Sequence, residues 1–211
     1  MFDNKLIAKS FMWMFIGLLV TFVTGYVICL NASTLALALS GFYIVAVIVE
    51  LILVIVLSRK IFEMKASTAK IMFIIYSMVT GFTFASIFVV YEMASIIFVF
   101  ALAAVLFGIM ALFGFYTNID LSKFSSYLIF GLIGTIIASL INVFWINDTF
   151  TTIICIISIL IFLGFTAWDI QKIRRLNINN DNAAIYGALE LYLDFINIFL
   201  DLLRLFGKER D

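Results

Sequence analysis

The 211-residue sequence has no histidine, no proline, only two cysteines, and charged side chains at just 12% of its positions. Each shortage excludes something. Without histidine there is no imidazole metal ligand and no side chain that ordinarily titrates near neutral pH, so any pH response falls to carboxylates. Without proline, helix breaks come from glycine or polar residues. Cys29 and Cys155 each lie inside an apolar run, where cysteine behaves as a small buried hydrophobe rather than half of a disulfide or a metal site. The low charge excludes a soluble enzyme and a disordered chain alike, since a soluble domain is about one quarter charged. Basic and acidic residues number 13 each, for a formal net charge of zero, so the basic excess of a nucleic-acid-binding protein is missing.

What fills the chain instead is hydrocarbon. Hydrophobic residues make up 65% of it, 24 of them Phe, and the mean hydropathy is +1.23. The apolar runs are continuous for about 20 residues, the length of a bilayer-crossing helix, whereas barrel strands alternate over about 10. Seven such segments are present: Phe11–Leu30, Leu35–Leu57, Ile71–Tyr91, Ser95–Tyr116, Tyr127–Ile146, Thr151–Trp168 and Ala184–Phe206. They use about 140 residues and leave about 70 for tails and loops, too few for a separate domain outside the bilayer. The pattern predicts an all-α membrane protein, a single seven-helix transmembrane domain over residues 1–211. Lys5 and Lys9 precede the first segment in the manner of a signal peptide. The apolar stretch is longer than a signal-peptide core and no small-residue cleavage site follows, so it reads as a retained helix. Gly131, Gly134, Gly81 with Ala85, and Gly108 are expected where helices approach closely.

Basic residues set the expected orientation. Lys5 and Lys9 precede span one; Arg59, Lys60, Lys65 and Lys70 follow span two; Lys123 follows span four; Lys172, Arg174 and Arg175 follow span six. The alternate loops, Asn31–Thr34, Glu92–Ala94 and Asn147–Phe150, have none. The N-terminus is therefore expected in the cytoplasm, in a multi-pass protein of the cell (inner) membrane. Lys208 and Arg210 then fall on the far side against the trend, unless the seventh segment does not fully cross.

The seventh segment is chemically distinct. At roughly 100° per residue, Glu190, Asp194, Asn197, Asp201, Arg204 and Lys208 fall in one stripe about 80° wide and about 27 Å long, opposite Leu, Ile and Phe. A helix lying in the interface could carry such a face, but interfacial helices favour bases, and this stripe is acidic through its first three turns. Carboxylates within a membrane are costly and mark ion or proton routes, so the stripe is expected to look inward. Glu50 is the one ionisable residue well inside span two. Asp169 closes span six and is equidistant with Asp194 from the polar run Asn177–Asn182, the most turn-prone stretch of the chain. A helical hairpin closing there brings the two aspartates to similar depth. Two close carboxylates in a low dielectric cannot both ionise cheaply; they share a proton or hold a cation such as calcium between them.

Three segments resemble a known family. ELYLDFINIFLDLLRLFG (Glu190–Gly207) is similar to the last helix of the Bax inhibitor-1 family, the transmembrane BAX inhibitor motif proteins. TAWDIQKI (Thr166–Ile173) resembles that family's aspartate motif, and TGFTFASIF (Thr80–Phe88) its glycine-containing third helix. The resemblance implies a seven-helix fold with the last helix central and the other six around it. It implies a pH-sensitive calcium leak gated by paired aspartates, here Asp169 and Asp194, which would also be the calcium ligands. A base near the cytoplasmic end of span two would latch onto the helix-six aspartate in the closed state, and the candidates are Arg59 and Lys60. If Glu50 faces inward, helical geometry favours Lys60, at about −80°, over Arg59, at about 180°; bidentate pairing favours Arg59. Ile170 replaces a hydroxyl residue common in relatives, and Glu190 and Asp201 fall outside the family pattern. Glu50, Glu190, Asn197 and Asp201 are candidates for a further polar pathway.

The expected partners are the lipid bilayer, calcium ions and protons, with no cofactor beyond the transported ion. A proton- or ion-coupled transporter is the main alternative, although no inverted repeat supports it. An intramembrane aspartyl protease also needs two carboxylates sharing a proton, but its motifs require a glycine before the second aspartate and a proline, and neither is present. No enzymatic activity is expected.

Overall fold

Among the described residues, seven helices are long and apolar enough to cross a bilayer. The structure, a computed structural model, describes residues 4–145, 147–176 and 180–210. In chain order the helices are α1 (Asn4–Leu30), a short α2 (Ala32–Ala38), α3 (Phe42–Lys60), α4 (Ala66–Val90), α5 (Met93–Tyr116), α6 (Ser125–Phe144), α7 (Asp148–Arg175) and α8 (Asp181–Phe206), with a 3-10 turn at Leu121–Phe124. All but α2 are candidate spans, so the seventh span is α8 and the sixth is α7.

Two boundaries differ from the hydropathy pattern for identifiable reasons. The run Leu35–Leu57 is not one helix. The Asn31 side chain accepts from the Ser33 and Thr34 amides at 3.0 and 3.4 Å and starts α2. The Ser40 hydroxyl then donates to the Leu37 carbonyl at 2.6 Å, and the chain re-enters a helix at Phe42. Continuous Leu and Ala hide this break from any scan for apolar length. Conversely, α7 continues past Trp168 to Arg175, beyond the apolar run, with Ile170 and Ile173 still buried. The predicted turn at Asn177–Asn182 lies partly outside the described residues, as does Ile146 at the end of the fifth predicted segment.

The contacts divide the chain into two units: Met1–Met93 with Leu176–Tyr192 and Lys208–Asp211, and Ala94–Arg175 with Leu193–Gly207. In the first, α1 and α3 both pack on α4, and α2 touches all three. The tightest crossing is at Gly81, where an added Cβ would lie 2.7 Å from the Thr21 carbonyl oxygen and 2.6 Å from Thr24 Cβ. The Phe73 and Tyr76 rings stand edge-on to Tyr192, with centroids 5.9 and 5.7 Å away. Asn182 donates from its amide to the Ile61 and Met64 carbonyls at 2.6 and 2.8 Å, tying the start of α8 to the end of α3. The tail after α8 pairs with the turn between α4 and α5: the Glu92 amide donates to the Lys208 carbonyl and the Arg210 amide to the Val90 carbonyl, at 2.9 and 2.8 Å. The segment 208–210 therefore lies beside the end of α4. Lys208, against the charge trend, is paired with Glu92 at 2.6 Å.

In the second unit α6 packs on α7, and the 3-10 turn touches both. Gly114 sits so close to α7 that an added Cβ would strike the Ala167 carbonyl and lie 2.7 Å from Ala167 Cα. Phe100 and Phe107 meet Phe195 edge-on, at 5.1 and 5.6 Å between centroids. Gly131 approaches Ile161, but Gly108 and Gly134 have no atom within 4 Å of an added Cβ, so neither is a close-approach point as expected.

Candidate functional site

Polar side chains inside an apolar helix need partners, because an unsatisfied one costs several kcal/mol, of order 1–3 for a hydrogen-bonding group and more for a charge. The predicted site residues can be followed through those partners, unit by unit.

In the second unit, Asp169 on α7 is 2% exposed and Asp194 on α8 is 4% exposed. The Lys172 ammonium, one turn on, lies 3.4 Å from Asp169 Oδ1 and also over the Trp168 ring, 4.9 Å from its centroid. The end of α7 is held by further polar contacts. The Gln171 side chain accepts from the Leu121 amide and donates to the Ile119 carbonyl, both at 2.9 Å. Arg174 donates to the Phe115 carbonyl, and Arg175 pairs with Asp120 at 2.8 Å. The Ser122 hydroxyl, 2.8 Å away, and the Arg175 guanidinium hold the exposed Asp120 carboxyl below the usual carboxylate range. Farther along α8, the Asn197 amide donates back to the Leu193 carbonyl at 2.7 Å. Asp201 is 6% exposed, faces the Ser158 hydroxyl and the Cys155 thiol, and has the Arg204 guanidinium at 3.7 Å.

In the first unit, Glu50 is half-buried, with its carboxylate oxygens 2.8 Å from the Thr80 hydroxyl and 3.3 Å from the Thr83 hydroxyl. Beside it the Tyr192 hydroxyl is 2.6 Å from Thr21 Oγ1, itself 3.0 Å from the Ser77 carbonyl. Glu190 is half-buried, and Arg59 and Lys60 are exposed at the last turn of α3.

Along this stripe Asp194 and Asp201 are buried and Glu190 and Asn197 half-buried, while Arg204, and Lys208 just beyond α8, are exposed. Sequence reading missed the hydroxyl partners. Thr80 and Thr83 are spaced i,i+3 on α4, and Thr21 lies in α1. Among the described residues no three Asp, Glu or Cys side chains converge, so a calcium ion near Asp169 and Asp194 would complete its six to eight oxygen ligands with carbonyls or water.

Seven apolar spans with carboxylates buried in the last two define a polytopic helical membrane protein with a polar interior. The family model described as "Inhibitor of apoptosis-promoting Bax1" matches residues 3–211. The inner membrane protein YbhL of Escherichia coli K12 is 40% identical over 96% of this chain and 91% of its own length. A Borreliella burgdorferi protein is 38% identical over 99% and 94%, and a membrane protein of Streptococcus pyogenes serotype M1 is 39% identical over 79% and 74%. The chain belongs to the Bax inhibitor-1 family.

Proposed function

We propose that this protein is a pH-sensitive calcium leak channel of the inner membrane, with Asp169 and Asp194 as its titrating gate. The observation that supports this reading is the pair of carboxylates, 2% and 4% exposed, on two membrane-spanning helices of one unit. Buried carboxylates are kept in a membrane helix where protons or ions use them. When both are ionised they repel each other and attract a calcium ion or a base; Lys172, at 3.4 Å from Asp169, supports the second alternative. A shared proton removes both the repulsion and the cation's ligand. Conductance then follows pH in a chain without histidine. Arg59 or Lys60 is the base whose charge holds the closed form. The inner-membrane location follows the name of the E. coli relative and the seven apolar helices.

The test is calcium entry into liposomes carrying the purified protein, measured across pH. A flux that changes with pH, without a counter-ion gradient, supports the channel. Flux that requires a coupled ion gradient replaces it with a transporter, and no flux rejects it.

A further inference from the structure

The first two turns of α8 make contacts that the aspartate gate does not use. Asn182 is 7% exposed, and both hydrogens of its side-chain amide are engaged: Nδ2 donates to the Ile61 carbonyl at 2.6 Å and to the Met64 carbonyl at 2.8 Å. Those carbonyls lie just past the end of α3, where the helix has no further amides of its own to offer. One side chain of α8 therefore caps α3 from outside. Tyr186, one turn on and on the same face of α8, sets its ring 5.3 Å from that of Phe62 in the capped turn. Ile61 and Ala183 are fully buried. Asp181, the residue before Asn182, pairs with Lys70 of α4 at 2.5 Å and with Lys9 of α1 at 3.8 Å. The start of α8 is thus fixed on α1 and α4, and it holds the turn after α3.

Arg59 and Lys60 are the last two residues of α3, and both are exposed. The Ile61 amide donates to the Leu57 carbonyl at 3.1 Å and the Glu63 amide to the Lys60 carbonyl at 3.0 Å, so the bases and the fastened turn form one hydrogen-bonded backbone. A base on a loose turn gives up conformational freedom each time it pairs. A base on a fastened turn has already given it up.

Taking Arg59 or Lys60 as the latch of the proposed leak, we infer that Asn182 is the residue that positions it: its amide fastens the turn after α3 to α8 and holds the two bases where they close the gate. Helix α8 is unbroken from Asn182 to Asp194, so a displacement of that helix reaches the bases through one side chain. Alanine or an ionised aspartate at position 182 leaves both carbonyls without their donor and frees the turn, while Arg59 and Lys60 keep their charges.

The test pairs amide exchange with calcium flux, both on the full-length protein in liposomes. In Asn182→Ala, exchange at the Ile61 and Glu63 amides should rise about tenfold, the factor that corresponds to about 1.4 kcal/mol of lost hydrogen bonding. Leak at neutral pH should rise toward that of the charge-reversed protein, Arg59→Glu with Lys60→Glu. Asn182→Asp has the same shape and no donor when ionised, and it should do the same, so that lost volume is not the cause. In the charge-reversed background Asn182→Ala should add no further leak, because both changes disable one latch. Phe73→Leu, a buried change farther along α4, is the control for lost stability: its thermal midpoint should fall and its leak should stay at the parent's level. Unchanged exchange overturns the positioning role. So does exchange that rises without a rise in leak, a leak increase that adds to that of the charge reversal, or an equal increase from Phe73→Leu. A parent protein without flux rejects the leak and its latch together and shows before any variant is made, whereas failure of the positioning role alone shows only as a difference between variants.

Discussion

The two units bury their charges by different means. In the first, Glu50 lies against the hydroxyls of Thr80 and Thr83, and Tyr192 against that of Thr21. In the second, Asp169 and Asp201 each have a base one turn along the same helix, with its arm partly in solvent. A hydroxyl is neutral and fixed by its backbone, so it satisfies a carboxylate without any ion. A solvent-facing ammonium or guanidinium can leave its acid for water, although the buried acid it leaves is then uncompensated. Such a base can be exchanged for a dissolved cation or displaced by a proton. The difference separates polar groups that hold helices together from polar groups available for ion chemistry.

The largest effect should be the one the units share. Gly81 and Gly114 are the crossings where an added Cβ meets neighbouring backbone, at Thr21 and Ala167 respectively. Backbone cannot yield as a side chain tip can, so Gly81→Ala and Gly114→Ala should each cost about 3 kcal/mol, read as a lowered thermal midpoint in detergent. Gly41→Ala, with nothing within 4 Å, is the control. Equal losses sharpen the comparison by confining the difference to the polar groups.

Next in size is Thr80→Val. It removes the 2.8 Å contact to Glu50 and should cost about 1–2 kcal/mol while leaving the shape of any flux–pH curve unchanged. A displaced curve would make Glu50 part of the pathway and break the comparison from the first unit's side. Lys172→Met should displace the midpoint of the flux–pH curve, since it removes the base 3.4 Å from the buried Asp169, and should lower stability as well. Charge reversal at both Arg59 and Lys60 should raise leak at neutral pH; unchanged flux removes these two bases from the gate.

The smallest effect concerns Asp120. Its carboxyl is held low, so its contribution to the loop is complete above the ordinary carboxylate range and fades as pH falls through its depressed value. Asp120→Asn should speed amide exchange at Ser122 near neutral pH, and the parent protein should approach the variant's rate only in strong acid.

Much of this was legible in the chain. Apolar length located the seven spans to within a few residues for most ends, because a bilayer imposes length directly. It could not see the break between α2 and α3, which falls at Ser40 within the run read as one span. Nor could it extend α7 to Arg175, since that turn is helical through packing rather than hydropathy. Helical spacing placed the acids of α8 on one face, and all of Asp194, Asp201 and their neighbour Asn197 are indeed at least half-buried. The partners of those acids were less legible. Ser158, which faces Asp201, comes from α7, as Thr80 and Thr83, which meet Glu50 of α3, come from α4, and one sequence holds no pairing information between helices. Lys172 and Arg204, three residues from their acids, were readable, because that spacing is a property of the helix itself.

The central claim is that Asp169 and Asp194 carry the pH response. It is tested most directly by calcium flux across pH in liposomes carrying the parent protein, Asp169→Asn, Asp194→Asn, and Asp148→Asn as a control at the first residue of α7. An amide keeps the shape of the side chain and cannot titrate. The flux should depend on pH in the parent and the control and be flat in both of the other variants. A full pH response retained by Asp169→Asn and Asp194→Asn alike would contradict it and move the sensor to Glu50 or Glu190.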